Sequence, residues 1–172
     1  VDQTLHDLVH ALGFLRMGTT GFIAQAAGAD DEAEVRAVLG RSLLLAAAIG
    51  VLLVCLKPVL PDLALALLHG SPAVEAVARR YIEVRLWGTP ASLATLALRG
   101  ALIGLGFSRE LLVLEATLNG VNLGLNLVFV GVLRWGAGGV ALGSALAEWI
   151  GLALALAIVR ASNLDLPVII VS

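Results

Sequence analysis

Apolar residues fall in five long runs along the chain, at 8–27, 38–56, 82–105, 111–133 and 139–159, with short polar or proline-bearing breaks between them. Each run is close to the roughly 20 residues that a helix needs to cross a bilayer, so the pattern predicts about five transmembrane helices. The first run carries His10, Arg16, Thr19, Thr20 and Gln25, and one of its faces therefore cannot look at lipid. The connector from Gly28 to Arg36 places Asp30, Asp31, Glu32 and Glu34 where acids favour a helical start. Lys57, Pro58, Pro61 and Asp62 close the second run, and its remnant, Leu63 to Leu68, is expected at the interface. Ser71 and Pro72 have the chemistry of an N-cap and first helical residue, so an amphipathic segment, Pro72 to Arg80, should lead into the third span. Pro90 should kink that span. Trp135 fits an interfacial anchor, and the tail at 161–172 is too short to cross anything.

Composition fixes the solvent. Apolar residues make up 59% of the 172 and charged ones 14%, which is too little polarity to cover a water-facing surface. The mean hydropathy of +0.98 agrees. The expected class is an all-α integral membrane protein. A net charge of -2 with 11 scattered basic residues leaves no stripe to follow a phosphate backbone, which argues against nucleic acid. The single cysteine, Cys55, excludes an internal disulfide and a cysteine zinc cluster, and it reads as a small packing residue. Basic residues at the loops divide almost evenly between the two sides, leaving orientation open. The start at Val1 reads as the cut end of something longer.

Polar residues inside the runs carry the candidate chemistry. Glu115, Asn119, Asn122 and Asn126 are spaced by four, three and four, which keeps them in one sector of a helix. They are either interhelical glue or the wall of a polar cavity. In the fifth span Gly139, Gly143, Ala147, Gly151 and Ala155 recur every four residues and cut one face for tight packing, while Ser144 and Glu148 form a second, polar face. A mid-span carboxylate is costly, so Glu148 is paired, protonated or facing water, and Arg16 is the expected partner or cavity-mate. Arg85, Thr89, Ser92 and Arg99 share a face of the third span, and depth along antiparallel neighbours predicts an Arg99–Glu115 ion pair. By the same reasoning Asn126 and Ser144 should meet, with Asn122 one turn deeper.

Enzyme readings are weak. Ser144 sits in a Gly-Ser-Ala context, but His6, His10 and His69 all precede it, and His6 with His10 lacks a third metal ligand.

Five stretches in this order, Phe14 to Gly28 (FLRMGTTGFIAQAAG), Tyr81 to Pro90 (YIEVRLWGTP), Arg99 to Gly106 (RGALIGLG), Asn119 to Asn126 (NGVNLGLN) and Gly138 to Ser144 (GGVALGS), give the chain its likeness. It resembles the multidrug and toxic compound extrusion (MATE) transporters, particularly the branch named for DNA-damage-inducible protein F. The resemblance implies helices two to six of a six-helix N-terminal lobe over residues 1–160. It also implies efflux of organic cations or drugs by antiport with protons or sodium, no cofactor, and a cell (inner) membrane location. The first helix and a second lobe would be missing partners. Asn122 matches a family asparagine of the cation site, Ser144 falls on a family threonine position, and Asn126 stands where many members have aspartate. Arg16, Gln25, Arg99, Glu115, Asn119 and Glu148 are the further cavity or ion-pair candidates. Two other functions fit the same membrane class, a lipid-linked saccharide flippase of the superfamily and a non-transporting scaffold or subunit.

Overall fold

The structure, a computed structural model, describes residues 17–68 and 71–162. The first half of the first predicted span, with His6, His10 and Arg16, lies outside the described residues, as do His69, Gly70 and the tail from 163. The helices are α1 (17–28), α2 (Glu32–Cys55), α3 (Leu60–Leu68), α4 (Pro72–Arg85), α5 (Thr89–Gly104), α6 (Ser108–Asn126) and α7 (Gly136–Ala161). A 3₁₀ turn, Leu86–Gly88, links α4 to α5, and a π-helical turn, Leu127–Val132, extends α6. The described residues contain no strand.

Local chemistry explains the ends. Asp31 accepts a hydrogen bond from the Glu34 backbone amide at 3.0 Å, and Glu32 and Glu34 occupy the first turn of α2. The acids thus start α2 at Glu32, six residues before the apolar run begins. Ser71 in extended geometry and Pro72 open α4. Gly106 has φ +75°, which lets the chain reverse between α5 and α6 at little steric cost.

The third predicted span is corrected. Pro90 cannot donate to the helical ladder and crowds the preceding turn, so the chain tightens into the 3₁₀ turn before α5 begins. The segment from Pro72 is a full helix running to Arg85, well past the interfacial entry expected to end at Arg80. α2, α6 with its π extension, and α7 overlie the second, fourth and fifth runs, α7 extending from Gly136 to Ala161 against an expected 139–159, and of the first run only 17–27 is described.

Packing centres on α5, with α2 on one side and α7 on the other; α6 and α4 pack on α7. Ile23, Leu39, Leu98, Leu102, Leu114 and Val159 are fully buried. Small residues set the helix separations. A Cβ on Gly50 of α2 would lie 2.6 Å from Pro90 Cα, and one on Gly104 would lie 2.8 Å from the Thr20 carbonyl oxygen. Thr19 donates to Ser42 Oγ at 2.9 Å, tying α1 to α2.

The outward surface is apolar. Leu112, Leu123, Leu127 and Val132 of α6 and its extension are all more than 60% exposed, a costly arrangement in water and an ordinary one in lipid. Helices of 24, 25 and 26 residues, at Glu32–Cys55, Ser108–Val132 and Gly136–Ala161, are long and apolar enough to cross a bilayer. The protein is an all-α, multi-pass membrane bundle. Cys55 is exposed at the end of α2, which corrects its reading as a packing residue.

Candidate polar site between α6 and α7

The small-residue face of α7 lies directly on α6. A Cβ on Gly139 would meet Phe129 Cβ at 3.1 Å, one on Gly143 would meet Asn126 Oδ1 at 2.6 Å, and one on Gly151 would meet Leu118 Cδ1 at 2.5 Å. This close approach is what lets short polar side chains reach across. Asn122 Nδ2 donates to Ser144 Oγ at 3.1 Å, and Asn126 Nδ2 donates to Asn122 Oδ1 at 2.9 Å. The Asn126 Oδ1 atom is buried without a hydrogen-bond partner. The result is a chain of two amides and a hydroxyl that ends in a spare carbonyl oxygen. Amide and hydroxyl oxygens are hard, neutral ligands, suited to an alkali cation and unable to carry a proton themselves at neutral pH. Immediately after Asn126 the helix widens into the π turn, a feature that recurs at functional positions in helices.

One turn further along α7, Arg85 Nη2 donates to Glu148 Oε1 at 2.9 Å. The Glu148 side chain is 15% exposed and that of Arg85 33%. Glu148 is therefore a paired carboxylate, and its partner comes from the end of α4. Arg16, the expected partner, lies outside the described residues. Two more contacts hold the same joint: Trp149 Nε1 donates to the Trp87 carbonyl at 3.1 Å, and a Cβ on Gly88 would sit 2.9 Å from Ala145 Cα.

The rest of the predicted stripe divides. Arg99 Nε lies 2.9 Å from Glu115 Oε1, an ion pair between α5 and α6. Asn119 turns away from the others and donates to the Glu115 carbonyl of its own helix at 2.8 Å, exposed. Gln25 is also exposed, on α1, and takes no part in the cluster. Thus the structure joins Asn122, Asn126 and Ser144, and separately Arg99 and Glu115, but not Asn119 or Gln25. Arg85 was missed as the partner of Glu148, although its place on a polar face of the third span was a signal for it.

The family model described as MatE matches residues 6–128. The chain belongs to the MatE family. It is 40% identical over 147 residues to DNA damage-inducible protein F of Escherichia coli (strain K12), covering 86% of this chain and 32% of that protein. Its fold is similar to a solved structure described as the inward-facing conformation of a multidrug resistance MATE family transporter of the MOP superfamily. That likeness has a TM-score of 0.77 at 23% identity and covers 84% of this chain and 33% of the other. The chain thus spans about a third of the length of both relatives. Within the MatE match, Asn122 and Asn126 fall inside the covered residues, and Ser144 lies beyond them.

Proposed function

We propose that this chain forms part of a secondary active efflux transporter of the MatE family, and that Asn122, Asn126 and Ser144 are protein ligands of its coupling cation. The observation that carries the reading is the hydrogen-bonded run from Asn126 through Asn122 to Ser144, which leaves the buried Asn126 Oδ1 free. A buried carbonyl oxygen without a donor is costly, and a bound cation or its water offsets that cost. Neutral oxygens alone hold an alkali ion weakly, so a carboxylate from a helix beyond these residues completes the site, whether the coupling ion is sodium or a proton. The transported substrate is an organic cation or drug, exchanged across the inner membrane, and a second lobe of the same transporter supplies the opposite wall of the pathway. The reaction is translocation, without catalysis or a cofactor.

The test is efflux of a fluorescent organic cation from proteoliposomes holding the whole transporter, under an imposed proton or sodium gradient. Ser144→Ala and Asn122→Ala should each lower gradient-driven efflux at least several-fold while the protein remains inserted. Efflux at the wild-type rate in both variants would remove these residues from the coupling site.

A further inference from the structure

At the end of the bundle where α6 turns into α7, a cavity of about 760 Å³ opens between α4 and the start of α7. It lies apart from the polar cluster, and it does not depend on the transport reading. Its walls are Val77 and Val84 of α4 with Gly138 and Leu142 of α7; Arg80 and Trp135 also line it. The basic residues around it differ in how they are occupied. Arg79 is paired with Asp62, Lys57 lies over the Trp87 ring at 5.0 Å, and Arg85 is taken by Glu148. Arg80 makes no hydrogen bond or ion pair among the described residues, and Glu83, one turn on, does not pair with it. Its side chain runs along α7, where a Cβ on Gly138 would lie 3.5 Å from Arg80 Nε.

The cavity has two ends. Arg80 and Trp135 stand beside the turn at 133–135, where a half-exposed tryptophan marks the headgroup level. Val84, four residues beyond Arg80 on α4, and Leu142, four beyond Gly138 on α7, lie about 6 Å deeper than those residues towards the bundle centre. Arg134, exposed in the turn with φ +54°, adds a second cation at the polar end. An unpaired guanidinium at the headgroup level above an apolar cleft matches a molecule with a phosphate at one end and an acyl chain at the other. We propose that this cavity binds one anionic phospholipid, its phosphate on Arg80 and its acyl chain along Val84 and Leu142.

The test is native mass spectrometry of the whole transporter released from nanodiscs of equal phosphatidylglycerol and phosphatidylcholine. Phosphatidylglycerol should be retained over phosphatidylcholine, and Arg80→Gln should cut that preference about five-fold, the factor one arginine contributes near a lipid surface. Arg109→Gln, at the opposite end of the bundle, should leave it unchanged. If Arg80→Gln does not fold, Leu142→Trp narrows the apolar end with the arginine intact and should cause a comparable loss. Equal retention of the two lipids overturns the proposal, as does an undiminished preference in the folded variants. Displacement of the lipid by millimolar glycerol 3-phosphate would mark a site for free phosphate and likewise overturn it.

Discussion

Gly143→Ala places a methyl group 2.6 Å from Asn126 Oδ1 and 3.4 Å from Leu125 Cβ. Ordinary contact begins near 3.4 Å, so the Asn126 amide must retreat by about 0.8 Å. Its Nδ2 is 2.9 Å from Asn122 Oδ1, and a displacement of that size directed away from Asn122 takes the pair beyond hydrogen-bonding range. The bond at risk joins two residues one turn apart on α6, a kind worth about 0.2–0.5 kcal/mol, and an overpacked methyl group adds about 1–3 kcal/mol. The expected loss of stability is therefore about 1–3 kcal/mol, together with loss of cation-driven efflux. Gly120→Ala is the control, because a Cβ at Gly120 meets nothing within 4 Å, and alanine is the better helix former. Unfolding of the whole transporter in mixed micelles would measure the first effect and proteoliposome efflux the second. Adding Asn126→Ala removes the clashing oxygen, so the double variant should be less destabilised than the two single losses added together. If Gly143→Ala and Gly120→Ala behave alike in both assays, Asn126 does not press on Gly143 and the proposed site geometry is wrong.

Three further outcomes are expected. Arg85→Ala should destabilise the bundle by about 1.5–3 kcal/mol by leaving the partly buried Glu148 unpaired, and adding Glu148→Gln should recover much of that loss; additive losses in the same unfolding assay would contradict the pairing. Gly50→Ala drives a methyl group against the Pro90 backbone, whereas Gly21→Ala enters open space, so only the first should lower the melting temperature, by an amount equivalent to about 1–3 kcal/mol. Asp31→Ala removes the α2 cap, for a loss of about 0.5–2 kcal/mol seen as faster amide exchange at Glu34, and exchange at the wild-type rate would show that the cap is not holding the helix end.

Periodicity carries far in this chain because each signal is local or nearly so. The four-residue repeat from Gly139 to Ala155 lies on one face of α7, and Gly139, Gly143 and Gly151 meet α6 there. Counting residues from the α6–α7 turn was enough to place Asn126 and Ser144 at similar depth, and the two are joined through Asn122. Pairing between helices distant in sequence was harder. Glu148 needed a cation, but hydropathy gives depth without giving azimuth, so Arg16 was the expected partner and Arg85, at the end of α4 just before the 3₁₀ turn, was missed. The π turn after Asn126 has no sequence signature, since Leu127 to Val132 read as an ordinary apolar run. Asn119 shares the helical sector of Asn122, yet bonding to its own backbone satisfied it locally, a choice that spacing cannot reveal.

The coupling site itself is tested most directly by the pH dependence of efflux in Asn126→Asp. Asparagine does not titrate, whereas an aspartate here adds a titratable carboxyl group to the cluster. With the whole transporter in proteoliposomes and efflux of an organic cation measured across acid and alkaline pH, the variant's pH profile should be displaced from the wild-type profile. A variant that is inserted and active, with a profile superimposable on the wild type, would contradict the assignment of Asn122, Asn126 and Ser144 to the coupling cation.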